Sequence, residues 1–146
     1  MDHVTPVDAV KGRAAVRRVA AALAVVAASL VVASAMHLSG HVHGRAEPPF
    51  DAGDAGIAEA VIAAVLVAGV FGMLRSQPRG RTAGLITTGF ATVGFLVGLS
   101  ITARGGHWPD IAYHLVVLPI LVGSLVVLAR VGNERREARR SRGGPE

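Results

Sequence analysis

The chain has 146 residues, 51% of them hydrophobic, a formal net charge of +5 and no cysteine. The absence of thiols excludes disulfides, thiolate metal sites and iron–sulfur clusters. The basic residues flank long apolar blocks instead of covering one soluble face, which excludes nucleic acid as the partner and points to a lipid bilayer. All but Lys11 of the fifteen basic residues are Arg, and Ala, Val and Gly are abundant, a composition typical of high-GC bacterial genomes.

A hydrocarbon layer about 30 Å thick takes roughly 20 apolar residues as a helix. Four blocks approach that length, 19–38, 57–74, 83–103 and 111–131. Before them, residues 1–18 carry Lys11, Arg13, Arg17 and Arg18 with Pro6 and Gly12, and read as a cytoplasmic tail. The first span repeats Ala20, Ala24 and Ala28 at helical spacing and ends near Gly40. Its basic start, apolar run and Ala33-Ser34-Ala35 also fit a secretory signal that would leave Met36 as the first residue. Its apolar stretch exceeds the roughly 7–15 residues of a signal core, so a retained helix is expected.

Residues 41–56, with Pro48, Pro49, Asp51 and Asp54, read as a loop outside the bilayer. The second span sets Ala60, Ala64, Ala68 and Gly72 in one row, and the third carries Gly84, Gly89, Gly94 and Gly98. Small residues let helices approach closely in lipid, so these rows are candidate faces for a second copy of the chain or another membrane protein. Residues 75–81, with Arg75, Pro78, Arg79 and Arg81, read as a basic turn between them. A second outer turn, 104–110, contains Trp108, suited to the interfacial aromatic belt, and Pro109. Pro119 should kink the fourth span unless a neighbouring helix or Ser124 satisfies the freed carbonyl. Residues 132–146 form a second basic tail.

Orientation follows from Lys and Arg: four in the first tail, three in the middle turn and six from Arg130 onward make thirteen, against Arg45 and Arg104. Thirteen against two places both termini in the cytoplasm. The expected architecture is an all-α bundle of four transmembrane helices, N-in and C-in, in the cell's inner (plasma) membrane.

Five of the six histidines, His37, His41, His43, His107 and His114, fall at the outer end, joined there by Glu59 and Asp110. His37 and His41 are four residues apart, as are Asp110 and His114, so each pair shares a face if its helix continues through it. Ionisable groups at the end of a membrane bundle are candidate functional groups. Imidazoles with carboxylates suit a transition metal, two imidazoles on opposing helices suit the axial positions of a haem, and an imidazole beside a carboxylate can also pass protons. On this reading His37, His41, His43, Glu59, His107, Asp110 and His114 are the candidate ligands, and a meeting of His37 with His114 is its geometric requirement. The alternative is an accessory protein that acts only through helix packing, in which the same residues cap helices or sit at the interface. No Walker loop, GxSxG elbow or HExxH motif is present, and no soluble enzyme fold is expected.

Overall fold

The computed structural model describes residues 6–41, 48–75, 77–106 and 108–140, with side chains at 10–41, 48–75, 79–106 and 108–133. It contains four helices, α1 (Pro6–Leu38), α2 (Ala52–Arg75), α3 (Gln77–Gly105) and α4 (Trp108–Arg140). Each is neighbour to the next, α4 closes the ring against α1, and α1 touches α3 across the middle. Leu38 lies against Gly56, Met73 against Gly84 and His114 against Gly98, the order expected of an up-down-up-down bundle.

All four helices are longer than their apolar blocks. At about 1.5 Å per residue the 33 residues of α1 span roughly 50 Å, well beyond a hydrocarbon layer, and the surplus is the polar segment before residue 19. Those residues are not merely a tail, because Val16 is buried in the core. The expected basic turn at 75–81 is also mostly helix, since α3 starts at Gln77. The reason is local: Pro6, Pro78 and Pro109 all fall in first turns, where proline's missing N–H costs nothing and its fixed φ suits the helix. Pro119 leaves α4 continuous, with its ring on an exposed face.

Two ends are closed by identifiable chemistry. α1 stops in a Schellman arrangement: His41 N–H donates to Met36 C=O (3.1 Å), Gly40 N–H donates to His37 C=O (3.2 Å), and Gly40 adopts φ 70°, which glycine takes without strain. α2 begins earlier than its apolar block because Asp51 caps it, its Oδ1 accepting from Asp54 N–H at 3.0 Å.

The core is a narrow central column formed by Val19, Leu23, Val26, Leu30, Leu66, Met73, Phe95, Val117, Leu121 and Leu128 among others. Around it the surface is apolar too, with Val25 69% and Ile86 67% exposed. Helices apolar on every side have lipid as their outer partner. Four helices of this length and composition, Val10–Leu38, Ala52–Arg75, Arg79–Gly105 and Trp108–Asn133 in their apolar parts, make the chain a small multi-pass membrane protein.

The small-residue rows divide differently from expectation. Ala24 and Ala28 of α1 and Ala60, Ala64 and Ala68 of α2 face outward. The close approach of α2 to α3 is made at Gly72, the one glycine of that row, which lies against Ala83 and Gly80, and at Gly69 outside it, where a Cβ would overlap Thr87 Oγ1. Gly94 and Gly98 pack within the chain, on Ile62 and His114, while Gly89 meets nothing within 4 Å. Burial of α2 follows Ile62, Ala63, Leu66, Gly69 and Met73, the positions that put bulk opposite small neighbours.

Candidate functional site

Each helix carries its inward stripe to the end of the bundle that holds the α1–α2 and α3–α4 connections, and there the stripe turns polar. On α1, Leu23, Val26, Ala27, Leu30 and Ser34 are followed at three- and four-residue steps by His37, whose side chain is 5% exposed. On α2 the same periodicity runs back from Leu66 and Ile62 to Glu59, 13% exposed. On α4 it runs back from Leu121 and Val117 to Asp110, 19% exposed. These three side chains, from three helices, meet.

His37 Nδ1 lies 2.8 Å from Glu59 Oε2. With Glu59 ionised, its carboxylate can only accept, and Nδ1 is then the donor. The other ring nitrogen, Nε2, stands 3.9 Å from Asp110 Oδ1, beyond hydrogen-bond reach. Among the described residues, His37 Nε2 and Asp110 Oδ2 are both buried without a partner. Buried polar atoms are nearly always satisfied, so two orphans on neighbouring side chains mark an incomplete centre. His37 is also the one basic side chain within 4.0 Å of either carboxylate among the described residues.

The surroundings hold this geometry in place. Ser34 Oγ donates to Gly56 C=O at 2.7 Å, tying α1 to α2 one turn below His37. Ser29 Oγ and Tyr113 Oη are hydrogen-bonded at 2.7 Å, tying α1 to α4. Phe50, buried just before the Asp51 cap, meets the His37 ring edge-on with centroids 6.2 Å apart.

The other expected residues are placed apart from this centre. The Schellman turn ends α1 before His41, so His37 and His41 do not share a helix face, and His41 is exposed and bonded through Nδ1 to Ser39 Oγ at 2.8 Å. Asp110 and His114 do share a face of α4, but it is the Asp110 carbonyl that takes the His114 Nδ1 proton, at 2.8 Å. His114 Nε2 lies against Gly98, and its ring packs on Phe95 at 5.1 Å between centroids. His37 therefore meets Asp110 where the sequence suggested His114, and the haem reading gains no support from this arrangement. His43 and His107 lie outside the described residues. Among the described residues no three His, Asp or Glu side chains gather as a ready-made metal cage.

Beside the centre, between α2 and α3, is a cavity of about 540 Å³ to which Glu59, Tyr113 and His114 contribute. Sequence reasoning did not single out Phe50, Tyr113 or Thr102 as parts of a site. The one signal for them was that Tyr113, the sole tyrosine, directly precedes His114 on the helix that carries Asp110. A scan of protein-family models and searches of curated proteins and of solved structures found no match for this chain.

Proposed function

We propose that this chain is a cation-binding protein of the bacterial plasma membrane, with both termini in the cytoplasm and the His37–Glu59–Asp110 centre at the outer face. The observation that carries the reading is that two side chains whose closest approach is 3.9 Å, from His37 Nε2 to Asp110 Oδ1, each keep a buried atom with no partner among the described residues, Nε2 on one and Oδ2 on the other. With both carboxylates ionised, the centre holds two negative charges against at most one positive charge on the imidazole, and buried charge must be compensated. A transition-metal ion held by Nε2 and the Asp110 carboxylate supplies the compensating charge and gives Nε2 a partner.

For a metal, Glu59 on Nδ1 is the outer carboxylate that orients a ligating histidine. Tetrahedral bonds of about 2.0–2.1 Å set two donor atoms about 3.4 Å apart, so the observed 3.9 Å has to close by about half an ångström. The remaining coordination positions fall to water or exchangeable ligands.

Zinc titration calorimetry of the purified protein should show one ion per chain, no binding in His37→Ala or Asp110→Asn, and an affinity roughly 10–100-fold lower in Glu59→Gln. Protein that binds no zinc, or that binds it equally well with Ala at 37 or Asn at 110, would overturn the proposal.

The orientation rests on the basic residues, thirteen against two, and is tested separately. A periplasm-active phosphatase fused after Gly106 should be active, and one fused after Gln77 inactive. The reverse pattern would turn the bundle over.

A further inference from the structure

The cavity between α2 and α3 has a lining whose chemistry selects one kind of occupant. Its 540 Å³ lies within the range of small-molecule sites. The chain holds six Phe, Tyr and Trp residues, and four of them, Phe50, Phe90, Phe95 and Tyr113, line this one cavity. Three carboxylates, Asp51, Asp54 and Glu59, also contribute, and among the described residues no Lys or Arg does. Asp51 also caps α2 through Oδ1. Exposed Val61 and Val93 form a rim that faces the surface covered by lipid.

We propose that this cavity binds an amphipathic organic monocation, an apolar or aromatic body carrying an onium or protonated amine, drawn from the adjoining leaflet. An anion would face three carboxylates, two exposed at the mouth and Glu59 largely withdrawn from solvent, where charge is screened least. An acyl chain would fill the space but leave the carboxylates without a counter-charge. A cation with an apolar body satisfies both, because aromatic faces attract cations within about 6 Å and the attraction grows as water is excluded. The inference stands on the cavity lining and not on a cation between His37 and Asp110.

The test uses the full chain in nanodiscs, with empty nanodiscs subtracted. Tetraphenylphosphonium should bind with a dissociation constant on the order of micromolar, a usual affinity for a ligand of its size. Tetraphenylborate, nearly the same shape with the opposite charge, should bind at least tenfold more weakly. Ala58→Phe, which fills the cavity from its rim, should weaken cation binding tenfold or more, and Val93→Trp is the second filling variant if the first does not fold. Binding is read with a metal chelator present, so it needs no ion at the His37–Glu59–Asp110 centre and this inference and the proposed function can fail independently. Equal binding of cation and anion would overturn the proposal in favour of a lipid-filled crevice. No binding above empty nanodiscs, or binding that neither filling variant reduces, would overturn it as well.

Discussion

Gly69→Leu is expected to destabilise the bundle by roughly 3 kcal/mol or more, the upper part of the range for overpacked cores. Even a Cβ at this position would overlap Thr87 Oγ1 and stand 2.8 Å from Thr87 Cβ. Thr87 has little freedom to retreat, because its hydroxyl donates to the carbonyls of Ala83 and Gly84 on its own helix, at 2.9 and 3.3 Å. The helices must separate instead. In lipid no hydrophobic force between helices opposes the separation, so the van der Waals attraction forfeited along α2 and α3 is not recovered elsewhere. Unfolding by SDS titration, followed by circular dichroism, measures the effect. Gly89→Leu is the control, since nothing lies within 4 Å of its absent Cβ, and it should leave stability unchanged or slightly raised through better helix propensity. If both variants unfold alike, the close approach of α2 to α3 is not at Gly69.

Leu23→Ala is expected to cost about 1–3 kcal/mol in the same assay, while Val25→Ala costs close to nothing. Leu23 is completely buried and Val25 is 69% exposed, though they stand only two positions apart. In a soluble core such a truncation costs roughly 2–5 kcal/mol, of which part is transfer from water and part is the cavity left behind. Helices that separate within a bilayer return their side chains to an apolar solvent, so the transfer part largely vanishes and the cavity part remains. Equal losses at both positions would mean that α1 does not present Leu23 to the bundle.

Fold and site differ in how far they are legible in the sequence. The four apolar blocks are legible because a bilayer demands about 20 consecutive apolar residues, and α1 through α4 each contain one. Helix ends are legible where they depend on local chemistry, as at Gly40. They are not legible where helix continues into water, as at residues 6–18, 77–82 and 132–140, because hydropathy reports lipid exposure and says nothing of helix beyond it. The small-residue rows mislead for a related reason. Alanine is compatible with lipid and with a neighbouring helix alike, so only the opposing side chains, Thr87 against Gly69 and Ile62 against Gly94, reveal which face is inside.

The site shows the same division. That imidazoles and carboxylates collect at one end of the bundle follows from the sequence, since charged groups avoid mid-membrane depth and their positions relative to the apolar blocks are countable. Which of them meet cannot be counted. Helical phase shows that His37, Glu59 and Asp110 each extend a buried stripe, but the stripe of α1 becomes identifiable only once α2 and α4 are packed on it. Tertiary structure then decided the rest: that His37 stands between two carboxylates with Nε2 unpartnered among the described residues, and that His114 packs on Gly98 and Phe95 of α3. The physical reason is that insertion depth is set by each segment's own composition, whereas packing across the bundle depends on rotations of whole helices, which are fixed by residues far apart in the chain.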